Sequence, residues 1–416
     1  MIEEWVLDNP DELARADDTG VLLDLASAGA AVRTAVRLAG EAGLDRINPE
    51  GRPRAVFVAG HGTATLAGEL LAALGNGSCP ITVLRPTTAD DSAGSAIAYT
   101  SALLWNLPGW AGPSDLLIAL STTGAEPGLV FLLEQGYARG CSVVVVAPAG
   151  SALSEAALQT RGLPLPFVAR AEAPRHRTAF PEGDLPRELP SSLWGLLAPA
   201  LALTDLAGVV DAAPASVQAA ADRLDEAAVR CRPGAETYGN PAKTLAVELD
   251  GVLPLLWSDG PCTGAVALRF AAVLADLAGR PAVRATLPEA LSTQHGLLAG
   301  HLAPDPDEDD FFRDRAEDGA ELRLKVLLLH RSPDPDQHPD QWSEETGTPT
   351  SHRILTRARR LATDHQIAVS ELVSGRPDNL EAIAELVALT DFAAAYLGLA
   401  SSGAGHVPAG AAPADT

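Results

Sequence analysis

The spacing of apolar residues changes along the chain, and the change separates two kinds of predicted element. Over residues 12–43 apolar residues recur every three to four positions, which predicts amphipathic helices. From residue 55 onward, short apolar runs alternate with helical segments, as in Ala55–Ala59 followed by Ala64–Leu74. Short runs of this kind, separated by helices, predict βαβ units around a buried parallel sheet.

This alternation continues to about residue 400. The predicted strands are Ala55–Ala59, Ile81–Leu84, Leu116–Leu120, Ser142–Ala147, Val252–Trp257, Ala282–Ala285, Leu322–Leu329 and Ile367–Val373. The helices predicted between and after them are Ala64–Leu74, Glu126–Ala138, one beginning at Leu193, Ser216–Val229, Gly264–Leu277, Ile354–Ala362 and Leu380–Leu397. The order predicts an α/β protein with two parallel-sheet halves, which a diverged duplication would explain.

Composition shifts along the chain divide these elements into domains. The predicted units are an N-terminal helical arm at 1–48, a first half at 49–212, a second half at 213–400 and a tail at 401–416. An acidic insertion at 304–321 interrupts the second half and is typical of a solvated loop. The tail is rich in Gly, Ala and Pro, which predicts disorder.

Charge and residue usage exclude several classes of function. The 416 residues include 30 basic and 54 acidic ones, a formal net charge of −24 that repels nucleic acids and anionic membranes. The lysines are Lys243 and Lys325, so Schiff-base chemistry is disfavoured. The four cysteines form no CxxC pair, which argues against zinc ribbons and thioredoxin-like redox sites. We expect neither a metal nor a cofactor.

Two further features bear on location. The chain starts with an acidic segment that lacks the basic region of a signal peptide. The most apolar stretch, Leu193–Val210, contains Pro199 and Asp205, which favours a buried helix over a membrane span. Together with the few, scattered cysteines, these features predict a cytoplasmic protein in a reducing compartment.

The first candidate site is the turn after the first strand. Gly60, Gly62 and Thr63 stand between a strand and a helix, where glycines let a ligand approach and the helix N-terminus attracts an anion. A Rossmann dinucleotide site fits poorly, because Thr65 occupies the third glycine position and the next strand is followed by Arg85, where an acid is expected. An ordinary strand-to-helix turn remains an alternative.

The second candidate site is a run of hydroxyl side chains between another strand and helix. Ser121, Thr122, Thr123 and Gly124 would place three hydroxyls beside free N–H groups at a helix N-terminus. Such a neutral cradle suits a phosphate monoester in an acidic protein. A simple N-cap is the alternative, although one hydroxyl would be enough for a cap.

Together, these two segments give the chain a family resemblance. It resembles the SIS (sugar isomerase) fold and, more narrowly, the bifunctional phosphoglucose/phosphomannose isomerase family, which carries two SIS subdomains of flavodoxin-like αβα type. The segments that resemble the family's motifs are Val56–Gly62, Leu117–Gly124, Asn240–Ala246, Pro254–Leu256, Ala267–Phe270 and Leu287–Glu289. The first two match its glycine turn and its Ser-x-Ser-Gly-x-Thr phosphate loop.

The resemblance implies a function and a set of residues. It implies a homodimer that binds a hexose 6-phosphate and isomerises aldose to ketose through an enediol, without metal. It implies that Asp276 and His295 are the catalytic acid and base candidates. It also implies a catalytic arginine after a proline, for which Arg175 and Arg187 both qualify.

The chain departs from the family at its acid and base positions. Asp276 replaces a glutamate, and Ser292 occupies the position of the family's histidine, with His295 the nearest histidine. The family's C-terminal lysine has no counterpart beyond Lys325, and Glu126 replaces the last threonine of the phosphate loop. These departures leave two hypotheses open: an isomerase with substituted residues, or a non-catalytic phosphosugar sensor or partner protein.

Overall fold

The computed structural model describes residues 4–47, 51–88, 103–169, 188–300, 323–332 and 350–403. Arg175 and Arg187, the acidic insertion and residues 404–416 of the predicted tail lie outside the described residues.

The N-terminal region forms four helices. They are α1 (Glu4–Leu7), α2 (Pro10–Ala16), α3 (Val21–Ala26) and α4 (Ala28–Glu41), followed by a 3-10 turn at Leu44–Arg46. Local chemistry sets the breaks: the Asn9 side chain accepts from two N–H groups of the first turn of α2, and Asp17 accepts from the first two N–H groups of α3. The predicted apolar stripe is buried, with Leu22, Val32 and Ala35 in the core.

The first half is a parallel sheet with helices between its strands. Its elements are β1 (Val56–Ala59), α5 (Thr63–Ala73), β2 (Ile81–Leu84), β3 (Thr87–Thr88), β4 (Leu103–Leu104), β5 (Leu116–Leu120), α6 (Pro127–Ala138), β6 (Ser142–Ala147), α7 (Ala152–Gln159) and β7 (Leu163–Pro166). The sheet order is β2-β1-β5-β6-β7, and every pairing is parallel. This is the flavodoxin-like order. Strands β3 and β4 pair separately and antiparallel.

Three helices lead to the second half, which repeats the same strand order. The elements are α8 (Ser192–Leu206), α9 (Pro214–Arg230), α10 (Pro241–Leu249), β8 (Val252–Ser258), α11 (Pro261–Ala278), β9 (Val283–Thr286), α12 (Ala290–Thr293), α13 (His295–Leu298), β10 (Arg323–Arg331), α14 (Thr350–Asp364), β11 (Ala368–Ser374) and α15 (Asn379–Gly403). The four parallel strands run in the order β11-β10-β8-β9. The predicted fold class, two SIS-type parallel-sheet subdomains, is thereby confirmed.

A shared layer of helices joins the two sheets. The largest apolar cluster of the described residues includes side chains of α4, α5, α8, α9, α11 and α15 together with one face of each sheet. Two smaller clusters cover the outer faces of the first and second sheets. The Cys262 thiol at the start of α11 also donates to the Ala73 carbonyl of α5, with 3.4 Å between Sγ and O.

Two helices are long and apolar enough to cross a membrane, but at least one is clearly a core element. The apolar window at residues 379–401 of α15 has a mean hydropathy of 1.6 and is 83% buried inside the protein, whereas α11 reaches 1.4 and is 44% buried. Length and composition alone cannot distinguish a span from a core helix, and burial on this scale is what a core helix shows. The apolar stretch from Leu193 forms α8, which is buried along almost its whole length.

A buried polar cluster connects the start of α8 with the N-terminal helices and with the second half. Arg269 and Asp391 pair at 3.0 Å, with side chains only 4% and 2% exposed, and Arg269 also donates to the Pro190 carbonyl. The neighbouring Ser191 donates its backbone N–H and its hydroxyl to Asp24 of α3, at 2.8 and 2.5 Å. Burial raises the pKa of Asp391, although Arg269 opposes this shift.

Several local predictions differ from the structure. Lys243, one of the two lysines, lies in α10, although the sequence was interpreted as the start of a strand with the lysine solvated or paired with an acid; its ammonium donates to the carbonyls of Leu7, Pro233 and Ala235. Strand β7 was not predicted because it contains two prolines, which a strand tolerates at the edge of a sheet. The last helix continues to Gly403, past the predicted boundary at 401.

Candidate phosphate site at the first sheet

The topology brings the two predicted phosphate-binding segments together. Strand β1 lies between β2 and β5. The chain first passes from β1 to β2 on one side, and later adds β5 on the other side. In open α/β sheets this switch point forms a crevice at the carboxyl ends of the strands, where ligands bind. The turn at 60–62 follows β1 and the hydroxyl loop at 121–124 follows β5, so both segments border this crevice.

Glycines in the turn are required by space and by backbone conformation. A Cβ at Gly60 would lie 2.8 Å from the Leu120 carbonyl oxygen and 2.5 Å from Cβ of Ala64. Gly62 has φ of +56°, a left-handed conformation that other residues adopt only with strain. The turn therefore approaches β5 closely, and it directs the N–H of Thr63 at the start of α5 into the crevice.

Glu126 fixes the hydroxyl loop. Ser121 donates its hydroxyl to one carboxylate oxygen at 2.7 Å, and Thr123 donates to the other at 2.8 Å. The Ser121 oxygen also accepts from the N–H of Gly124 at 2.6 Å, which closes the loop on itself. Glu126, which replaces the last threonine of the family's phosphate loop, points into the loop and is 0% exposed.

The buried carboxylate is paired with His61 from the glycine turn. His61 Nε2 lies 3.1 Å from Glu126 Oε1, and the pair joins the turn to the hydroxyl loop. Burial raises the pKa of Glu126, but hydrogen bonds from His61, Ser121 and Thr123 outweigh it and bring the pKa to about 2. The same contact raises the pKa of His61, against the opposing effect of burial. These shifts favour a charged pair.

A second carboxylate lies in the crevice itself. Glu188 accepts from the Thr63 N–H and from the Thr122 hydroxyl, each at 2.7 Å. Thr63 and Thr122, two of the predicted phosphate-binding residues, therefore donate to the same carboxylate, that of Glu188. Sequence reasoning missed Glu188 because it stands 125 residues from Thr63, and it missed His61 although the residue lies between the two glycines of the turn.

The residues predicted to be catalytic in the second half lie elsewhere. Asp276 is exposed near the end of α11, and that helix starts beside the carboxyl end of β8 and runs back along the sheet. His295 is exposed and packs its ring edge-on against His365, three residues before β11 begins, with 5.4 Å between ring centroids. Both positions are near the amino ends of strands. Ser292 is exposed and donates to the Glu289 carbonyl.

At the switch point of the second sheet, an acid accepts hydrogen bonds from two neighbouring residues. Asp259, directly after β8, accepts from the Thr263 hydroxyl at 2.8 Å and from the Arg331 N–H at 3.3 Å. A cleft of about 580 Å³ lies nearby, between α5, α11 and β9, and its polar lining includes Ser258 and Thr286. Within the described parts of the chain, no group of three or more His, Cys, Asp or Glu side chains is placed to hold a metal ion.

Comparison with known proteins bears on the family and the fold. The family described as the bacterial phospho-glucose isomerase C-terminal SIS domain matches residues 239–403, which covers α10 to α15. A search of curated protein sequences returns no significant match.

Solved structures extend the likeness to nearly the whole chain. The C-terminal domain of glucosamine-fructose-6-phosphate aminotransferase from Francisella tularensis is 12% identical, with a TM-score of 0.52 over 92% of this chain and 96% of that chain. A hypothetical protein from Thermus thermophilus is 16% identical, with a TM-score of 0.57 over 94% and 87%. A candidate phosphosugar isomerase from Silicibacter pomeroyi is 14% identical, with a TM-score of 0.53 over 92% and 98%. At these identities the likeness establishes the fold.

Residues 239–403 thus match an SIS domain of the phosphoglucose isomerase type, and the resemblance inferred from sequence is confirmed to that extent. The first half has the same strand order, so the likeness of fold extends to both halves of the chain.

Proposed function

We propose that the protein binds a hexose 6-phosphate in the crevice between β1 and β5. The observation that carries the proposal is the convergence of the Thr63 N–H and the Thr122 hydroxyl on one anionic group at the switch point of an SIS sheet. Neither donor brings a net charge of its own. The ring of His61 supplies positive charge beside them, although Glu126 largely balances it.

Each group in the crevice then has a defined role. Thr63 and Thr122 bind phosphate oxygens directly, and the dipole of α5 favours the anion at its N-terminus. Ser121 and Thr123 act through Glu126, because their hydroxyls hold the carboxylate that orients His61. This division of roles refines the sequence-based hypothesis, in which all three hydroxyls touched the phosphate.

Isomerisation would need more than binding. An acid must open the sugar ring, a base must move a proton between C2 and C1, and the enediol charge must be stabilised. Asp276 and His295 lie near the amino ends of strands of the second sheet, away from the carboxyl ends that form the crevice. We therefore favour a phosphosugar sensor or partner protein with weak or absent isomerase activity.

One observation keeps aldose–ketose isomerisation as the second candidate. His61 borders the crevice, and its raised pKa would keep it protonated as a general acid for ring opening. Glu126 is a poor base, because its pKa of about 2 reflects three hydrogen bonds that protonation would weaken. Isomerisation would still need a base, and it would need an arginine to stabilise the enediol, for which the sequence offers Arg175 and Arg187.

A pair of matched substitutions tests the binding proposal. Thr122→Val should weaken fructose 6-phosphate binding by about 1–3 kcal/mol, because a donor to a charged group is lost. Thr263→Val is the control, since it removes a hydroxyl at the carboxyl end of a strand of the second sheet, where the hydroxyl donates to Asp259. Calorimetric titration measures both. Equal affinities in the two variants would remove the first crevice from the binding site.

Two further expectations belong to this proposal. We expect a homodimer, which light scattering at micromolar concentration would measure and a monomer would contradict. We also expect the protein to function in the cytoplasm, in keeping with its four scattered cysteines and its acidic charge.

A further inference from the structure

The carboxylate of Glu188 has the contacts that a ligand phosphate would make. Its two oxygens accept from the Thr63 N–H and from the Thr122 hydroxyl, both at 2.7 Å. Each of these donors has a single hydrogen to give. A phosphate bound by the same two donors would therefore have to take both hydrogens from Glu188.

Charge makes joint occupancy of the crevice unfavourable. Glu126 already places one buried negative charge beside it, and His61 provides one positive charge to balance it. Glu188 adds a second negative charge, and a phosphate dianion would add two more. Like charges in a partly buried crevice repel strongly, so phosphate and the docked Glu188 carboxylate exclude each other.

The backbone that carries Glu188 is anchored on its C-terminal side. Two residues later, the Pro190 carbonyl accepts from Arg269, and Ser191 then donates twice to Asp24. Helix α8 begins at Ser192. The side chain can leave the donors by rotating about its own bonds, while the anchored residues stay in place.

We infer that Glu188 is a built-in competitor, an internal anion that occupies the phosphate position and must be displaced before a sugar phosphate binds. The inference rests on the proposed function, since it assumes that the ligand uses the same donors. It assigns to Glu188 a regulatory role. The apparent affinity of the protein for the sugar phosphate is the intrinsic affinity multiplied by the fraction of molecules in which the carboxylate is not docked.

Removing the carboxylate tests this role. Wild type, Glu188→Gln and Glu188→Ala are titrated by calorimetry with fructose 6-phosphate and, separately, with inorganic phosphate. If Glu188 is docked in 90–99% of molecules, Glu188→Ala should bind about 10- to 100-fold tighter than wild type. Glu188→Gln should gain less, because its amide oxygen still accepts. Glu134→Gln, on the exposed surface of α6, is the matched control and should bind as wild type does.

The possible outcomes separate the inference from the proposed function. Wild-type binding with no gain in either variant overturns the inference alone, as does weaker binding in Glu188→Ala, which would make Glu188 a ligand contact. A gain for fructose 6-phosphate without one for inorganic phosphate also overturns it, because the competition would then not concern the phosphate. Absence of binding in every variant overturns the proposed function and the inference together. If Glu188→Ala fails to fold, Glu188→Gln carries the test.

Discussion

The two sheets share a strand order but treat their switch points differently. In the first half, six residues connect β5 to α6 and place three hydroxyls at the crevice, whereas eighteen residues separate β10 from α14 in the second half. In the second half Asp259 takes the available donors, and it is attached directly to the end of its own strand. In the first half the two ligand donors are held by Glu188, which comes from far along the chain.

This difference bears on which half can bind a ligand. Asp259 directly follows its own strand, and its carboxylate accepts from the Thr263 hydroxyl and the Arg331 N–H. A carboxylate from a separate segment can be exchanged for another anion at a smaller cost. Our proposal therefore assigns the exchangeable anion site to the first half and a structural role to Asp259 in the second.

The largest expected effect concerns turnover, because the predicted catalytic residues of the second half lie away from the first crevice. We expect fructose 6-phosphate isomerisation to be weak or absent, since positioned acid and base groups contribute about 10²–10⁴-fold each. Purified protein with coupled detection of glucose or mannose 6-phosphate measures it.

If isomerase turnover is found, substitutions identify the half of the protein that supplies the chemistry. Strong turnover that collapses in both Asp276→Asn and His295→Ala would show that the second half supplies the chemistry after all. Turnover that survives both changes but is lost in His61→Ala would place the chemistry in the first crevice.

The next largest expected effect concerns stability, and it tests whether the two halves unfold together. Asp391→Ala should lower the free energy of unfolding by about 3–5 kcal/mol, because it leaves the buried Arg269 guanidinium unpaired. The control is Asp364→Ala, which removes the exposed pair with Arg360 and should cost no more than about 1 kcal/mol. Urea unfolding measures both. A loss confined to one of two resolved transitions would mean that the halves unfold independently.

A smaller effect, dependent on pH, compares one histidine–glutamate pair in each half. The pKa of Glu126 falls from 4.5 to about 2 on folding, so its contribution to stability is present above pH 4.5 and is lost as the pH falls towards 2. The pKa of His61 rises from 6.5, so its contribution is present below pH 6.5 and is lost as the pH rises through the folded value. The pair should therefore stabilise most between about pH 4.5 and 6.5.

The matched pair in the second half should respond less to high pH. His330 lies 2.8 Å from Glu371, but Arg359 also binds this carboxylate and stays charged across the range. Urea unfolding at pH 5.5 and 8.5 tests the contrast. His61→Ala should cost about 1–3 kcal/mol at pH 5.5 and less at pH 8.5. An equal cost at both values would mean that the first pair is not held by charge.

Features encoded over short distances could be predicted from the sequence. The eight predicted strands were placed within one or two residues, because buried parallel strands and the helices between them have distinct apolar spacings, whereas β3, β4 and β7 were not predicted. The glycine turn and the hydroxyl loop were found because both lie at strand ends. Lys243 was not placed in a helix, although the Asn240 cap and Pro241 at the first helical position are local signals for the start of α10.

Long-range partners could not be predicted. Nothing near Glu188 indicates that it accepts from Thr63, since a glutamate after an arginine in a proline-rich stretch is ordinary surface composition. Glu126 was noticed as a departure from the family pattern, but its direction depended on His61, which is 65 residues away. Pairings of this kind depend on the topology of the sheet and not on a local pattern.

The buried ammonium of Lys243 makes the N-terminal helix α1 part of the protein core. One of its three carbonyl acceptors belongs to Leu7, and its charge also lies 5.5 Å from the centre of the Tyr396 ring in α15. Burial lowers the pKa of Lys243, because the charged form loses solvation. A chain trimmed before residue 8 would leave that ammonium short of an acceptor. The Lys243 ammonium thus connects α1 with α15 through its contacts with Leu7 and Tyr396. We therefore expect affinity tags or truncations at this end to destabilise the core.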